Sequence, residues 1–190
     1  SLIDYGYVGW TPGTDWVAKA IADFNGDGCS DILLQNKNNG ICYVWEQNGK
    51  TTIASGYVGW MPGAEWQVKG AADFDGDGRA DILLQNANNG SCYLWSLGEL
   101  DHLPIAYGYV GPVADVNWQV RGMADFNGDH KIDILLQNVQ NGSCTIADMD
   151  GRTTLSLGSV GWTPSAEWQV KSTGDYNGDG KADILLQNVN

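Results

Sequence analysis

Basic residues are scarce in this chain: ten Lys and Arg stand against 23 Asp and Glu, for a formal net charge of −13. A phosphate backbone or an anionic membrane surface would be repelled, so nucleic acid is not expected as a partner. Histidine is limited to His102 and His130, which leaves a His-dependent nucleophile mechanism little to work with. No apolar run reaches the roughly 18 to 20 residues that span a bilayer, and membrane insertion is not expected. The chain opens "SLIDYGYVGW", with neither Met nor the charged and apolar regions of a signal peptide. It reads as a processed or excised part of a longer product. Helical patterning is missing too, since no 11-residue window follows a 3.6-residue period.

What is present is enough for a core, with 43% hydrophobic and 11% aromatic residues in 190. The acidic residues are clustered. "DFNGDGCSD" begins at Asp23, "DFDGDGRAD" at Asp73, "DFNGDHKID" at Asp125 and "DYNGDGKAD" at Asp175, in steps of 50, 52 and 50 residues. "GYVGW" at Gly6 and Gly56, "GYVGP" at Gly108 and "GSVGW" at Gly158 keep the same step. Fixed periodicity of this size indicates a solenoid, a propeller or an array.

Within the second unit, "EWQVKGAADF" alternates, "ADILLQN" is a short apolar run, "SCYLWSL" is aromatic-rich and "IAYGYVG" closes the unit. "NNG" between the second and third runs is a hairpin signal. Four antiparallel strands per unit match a propeller blade, so the fold expected is an all-β propeller, with residues 1–190 forming a single domain of four units. A blade is covered on both faces, which explains an uninterrupted "DILLQ"; the small Gly70, Ala71 and Ala72 suit the innermost strand. The last unit stops after its second strand and the chain starts with a fourth one, "LIDYGYVG". The reading favoured is a four-bladed ring in which this N-terminal strand completes the last blade. A three-stranded closing blade, a longer array, or two copies in a larger ring are the alternatives. Strands about 4.8 Å apart put third-strand residues of adjacent blades roughly 20 Å from each other, far beyond the ~7 Å that a disulfide tolerates. Cys42, Cys92 and Cys144 are therefore expected as buried free thiols; Cys29 lies in the first acidic loop.

In the loop 23–31, oxygen side chains stand at positions 1, 3, 5 and 9, and position 7 offers a carbonyl. Alternate residues of a tight turn can converge on one hard cation, and six to eight oxygens suit calcium better than magnesium or zinc. An EF-hand would need Glu at position 12 and flanking helices. Position 12 is instead Leu34, Leu84, Leu136 or Leu186. His130 replaces the glycine found at Gly28, Gly78 and Gly180, so the loop 125–133 is expected to bind calcium most weakly.

These loops, at 23–31, 73–81, 125–133 and 175–183, resemble the FG-GAP/VCBS family of calcium-binding propeller repeats, the loop type of the integrin α propeller. The resemblance covers nearly the whole chain, and the loop between the first two strands is its most specific element. It implies up to four calcium ions. The ligands it implies are Asp23, Asn25, Asp27, the Cys29 carbonyl and Asp31; then Asp73, Asp75, Asp77, the Arg79 carbonyl and Asp81. The matching positions of the later loops are Asp125, Asn127, Asp129, Lys131 and Asp133, followed by Asp175, Asn177, Asp179, Lys181 and Asp183. Family members are usually secreted or cell-surface modules, often with six or seven blades.

Thirteen of the acidic residues belong to these loops, and the remaining ten show no glycosidase-like pair; no catalytic residue is assigned and no enzyme is expected. Trp10, Trp60 and Trp162 lie in turn-rich "VGWTPG", "VGWMPG" and "VGWTPS", where exposed rings could stack on sugars or wedge between blades. Trp16, Trp66, Trp118 and Trp168 begin the inner strands and read as structural. Lys19, Lys69, Arg121 and Lys171 recur on the innermost strand, either paired with carboxylates, the reading favoured, or ringing a channel as an anion site. The function expected is non-catalytic recognition or adhesion at a ring face. A carbohydrate is the leading ligand, and a structural or protein-protein interaction domain of a larger secreted protein is the alternative. The chain is expected as a monomer, or to self-assemble if the ring is not closed within it.

Overall fold

The computed structural model describes residues 8–9, 13–60, 62–98, 103–111, 115–161 and 165–190. Every regular element in them is a strand. The first sheet holds β1 (Trp16–Ala22), β2 (Asp31–Asn36), β3 (Cys42–Asn48) and β4 (Thr51–Val58). The second holds β5 (Trp66–Ala72), β6 (Asp81–Asn86), β7 (Cys92–Leu97) and β8 (Pro104–Val110). The third holds β9 (Trp118–Ala124), β10 (Asp133–Asn138), β11 (Cys144–Asp150) and β12 (Thr153–Ser159), and β13 (Trp168–Gly174) pairs with β14 (Asp183–Asn188) in the last. Neighbours in sequence are neighbours in the sheet, and every pairing is antiparallel. The four-strand unit expected from the sequence is observed in the first three sheets, and the last holds two strands among the described residues.

Successive residues of the "DILLQN" strands face different neighbours, as the two-residue strand period requires. Ile82 and Leu84 pack with Leu33 and Val44 of the first sheet. Leu83, between them, packs with Ile134 and Leu136 of the third. A strand buried on both faces needs an unbroken apolar run, and the core accordingly lies between the sheets rather than within one of them.

Small residues let the inner strands approach. A Cβ on Gly70 would collide with the Met123 methyl of the next sheet, and one on Gly122 would come within 2.7 Å of Thr173 Cγ2. The hairpin glycine Gly40, at φ 75°, abuts the Gly63 carbonyl before β5. Cys42, Cys92 and Cys144 are buried free thiols, as expected, and burial pushes the first two up to about 12.

The described sheets form an open run. Ile21 on β1 is 73% exposed and Leu185 on β14 is 50% exposed, so neither end face is covered by the other. The N-terminal strand expected to complete the last blade falls on residues 2–9, of which 2–7 lie outside the described residues and 8–9 are not in a strand.

Candidate functional site

Each acidic loop follows an innermost strand and is wound around its first aspartate. Asp23 accepts backbone N–H bonds from Gly26 at 2.7 Å, Asp27 at 3.2 Å and Gly28 at 2.7 Å. Asp73 accepts the equivalent three at 2.7, 3.2 and 2.9 Å, and Asp175 at 2.6, 3.2 and 2.9 Å. The exposed Asp175 is held below the usual carboxylate range by these bonds, the one from Gly180 first. Glycines at positions 4 and 6 have positive φ in the first, second and fourth loops; the third loop keeps Gly128 but places His130 at φ 66°.

The ninth residue ties the loop to the sheet. Asp81, fully buried, accepts from Phe74 N at 3.1 Å within the loop and from Leu97 N at 3.1 Å on β7. Asp31 and Asp133 do the same with Gln47 and Met149. Asp183 accepts from Tyr176 N at 3.1 Å, and β14 has no third strand beside it among the described residues.

In the second loop, oxygens of Asp73, Asp75 and Asp81 all lie within 4.8 Å of one another. Burial, and after it the charge of Asp75, pushes Asp81 up to about 7. Hard carboxylate oxygens that converge at such a cost are a donor set suited to calcium. Position 3 is Asn in the other three loops, so the same trio there offers two carboxylates and an amide. Adjacent loops are also stitched together. Ala80 N donates to the Asp23 carbonyl and Ala182 N to that of Asp125, both at 2.7 Å, and Arg79 Nε reaches the Asn25 carbonyl at 3.2 Å.

The second sheet carries a different cluster. Trp60 is 44% exposed and meets Tyr107 edge-on at 4.3 Å between ring centroids and Trp95 at 5.6 Å. Tyr93 packs against Tyr109 at 4.9 Å and Trp66 at 5.7 Å. Trp60, Pro62, Trp66, Tyr93, Trp95 and Tyr109 line a cavity of about 240 Å³, and the buried Trp95 indole N–H has no partner among the described residues. Trp60 thus both packs against the second sheet and remains accessible. Trp10 and Trp162 lie outside the described residues, as does His102. The tyrosines were not singled out from sequence, although their alternation in "AYGYV" opposite "CYLW" was the available signal. Across the third sheet, Thr145 pairs with Ser159 and Ala147 with Leu157 where the second pairs Tyr93 with Tyr109 and Trp95 with Tyr107, so the full cluster is not repeated there.

Also unforeseen is a polar staple between sheets. Gln85, buried in the "DILLQN" run, donates to the Gly90 carbonyl at 3.1 Å and the Trp118 carbonyl at 2.7 Å, and accepts from Val120 N at 3.2 Å. Gln35 and Gln137 repeat all three bonds. The recurring cations differ from the favoured expectation: among the described residues none of Lys19, Lys69, Arg121 and Lys171 is within ion-pair distance of a carboxylate. Each stands at a bulge that removes it from regular pairing, and the carboxylates lie in loops beyond the strand ends.

Three four-stranded antiparallel sheets and a two-stranded fourth, repeated about every fifty residues with an acidic loop between the first two strands of each, define a protein of the propeller class. The chain belongs to the family of the FG-GAP-like repeat, whose model matches residues 23–84, 73–136 and 125–186. Each match runs from the acidic loop of one unit into the second strand of the next. This makes the chain a propeller-like interaction module. No curated protein matches it.

Proposed function

We propose that the chain is a non-catalytic, calcium-stabilised recognition module of a secreted or cell-surface protein, and that it binds a carbohydrate at Trp60. The observation that carries the ligand class is the aromatic cavity: rings presented edge and face around a half-exposed Trp suit the apolar face of a sugar. Among the described residues the full cluster stands on the second sheet, while the first repeats its Trp16, Tyr43 and Tyr57 contacts.

Calcium belongs to the acidic loops, where Asp73, Asp75 and Asp81 would hold it with Asp77 and the Arg79 carbonyl, and the other three loops would use their matching positions. Bound there, it would neutralise carboxylates that otherwise repel one another and fix the turn. If the ring is not closed within one chain, the exposed end faces are those a second copy would cover.

A glycan array with the intact chain and with Trp60→Ala tests the ligand. Binding to at least one glycan, weakened about tenfold or more in the variant, is expected for an aromatic stacking contact. Absent binding, or binding indifferent to the substitution, would leave protein interaction as the function. Calcium is tested separately by melting the chain in calcium and in chelator: Tm should fall in chelator, and equal melts would remove the metal from the proposal.

A further inference from the structure

Cations are rare in this chain, yet four of its ten occupy one structural position. In β1 the register passes from Ala18, opposite Leu34, to Ala20, opposite Leu33, which leaves Lys19 as the extra residue of a bulge. The same shift falls between Val68 and Gly70, between Val120 and Gly122, and between Val170 and Ser172, leaving out Lys69, Arg121 and Lys171. A bulge releases one residue from the pleat and re-aims its side chain. On a strand packed between two neighbouring sheets, regular alternation would send a cation into an apolar layer, and the bulge avoids that.

The innermost strands touch through Gly70 against Met123 and Gly122 against Thr173, which draws the bulges together. Lys69 is half-buried, and its ammonium reaches across to Gln119 Oε1 of the next sheet at 3.4 Å, two residues from Arg121. Burial first, then the charges of Arg121 and Lys19, hold Lys69 below the ordinary lysine range. Lys19 and Arg121 are exposed. Like charges gathered without a carboxylate between them are unfavourable, and local charge compensation does not account for them. Lys19 precedes the loop residue Asp23 by four positions, about 13 Å of strand.

We propose that Lys19, Lys69 and Arg121 form a binding site for an oxyanion group, with Lys171 extending the row. Arg121 supplies a planar fork for two oxygens and the lysines supply point charges. An anion seated there relieves the mutual repulsion and bridges successive sheets along their inner edges. The group is either a free inorganic anion or a sulfate carried on a sugar polymer.

The test is thermal melting in saturating calcium and constant ionic strength, replacing chloride with sulfate. A saturable upward shift in Tm is expected. Lys69→Gln and Arg121→Gln should each melt no lower than the parent in chloride and lose most of the sulfate increment, whereas Lys37→Gln, whose partner is Asp15 on the surface, should keep it. No increment, or the same increment in all four proteins, would overturn the site in favour of general salting effects. If a variant does not fold, backbone amide shifts of the parent decide. Sulfate-induced changes confined to the bulges of β1, β5 and β9 support the site, and dispersed or absent changes refute it. A sulfated oligosaccharide that produces the same changes at lower concentration than sulfate identifies the polymer-borne source; equal or weaker action identifies the free anion.

Discussion

β6 and β14 have the same sequence, Asp-Ile-Leu-Leu-Gln-Asn, and opposite surroundings. All six residues of β6 are buried, whereas none of those in β14 is. Gln85 in β6 makes three bonds, two of which join it to the next sheet, while Gln187 in β14 faces no following sheet among the described residues. Leu83 is 0% exposed and Leu185 is 50% exposed. The strand's residues make it suitable for burial between sheets, but only the neighbouring units bury it. Stability in such an array is approximately a sum of unit and interface terms, so the same substitution has a different cost in each copy.

The largest effect follows from the leucines. Leu83→Ala should cost about 3 kcal/mol, because it removes a fully enclosed side chain and leaves a cavity between the second and third sheets. Leu185→Ala should cost about 1 kcal/mol or less, because only part of its side chain is removed from water. Chemical denaturation of both variants in saturating calcium measures the difference. Equal losses would mean that β14 is covered in solution, by residues 1–7 or by a second copy, and sedimentation of the same samples would tell these apart.

The glutamines sharpen the contrast at smaller amplitude. Gln85→Ala strands the Val120 N–H and the Trp118 carbonyl in a buried layer, for a loss of about 2 kcal/mol; Gln187→Ala should lie within about 0.5 kcal/mol of the parent. Parity of the two in the same denaturation experiment would show that the staple contributes little, whatever its geometry.

The repeat, the four-strand unit, the loop positions and the free thiols were legible in the sequence because each depends on spacing and on local turn chemistry. "NNG" makes the hairpin wherever it stands, and Asp at position 1 can wind the loop with only its own backbone as partner. The inter-sheet features were not legible. Gln85 looks like the polar end of an apolar strand, and its role exists only because Trp118 and Val120 arrive from another unit 33 and 35 residues later. Pairing of Lys69 with carboxylates was reasonable from charge alone, but the bulge that releases it is a register property with no residue signature of its own. Tyr107 and Tyr109 gain meaning once Trp60, from the preceding connection, is placed against them.

The third acidic loop inverts the comparison of β6 with β14, since here a different residue is held in the same backbone. His130 sits at φ 66° where Gly28, Gly78 and Gly180 have φ of 82–87°. Its N–H still donates to Asp125 Oδ2 at 2.7 Å, so the loop's own bonding keeps the left-handed conformation despite the Cβ. That conformation costs an L-residue about 1 kcal/mol or slightly more, partly offset by the greater chain entropy that a glycine would lose on ordering. If calcium completes the ordering of this loop, the cost falls on binding. His130→Gly should then strengthen the weakest step of a calcium titration by up to about fivefold, the equivalent of ~1 kcal/mol, and leave the other steps alone. Four equal affinities in the parent, or a weakest step that does not respond to the glycine, would place the strain in the ion-free fold, where it would appear as a higher Tm of the variant in chelator.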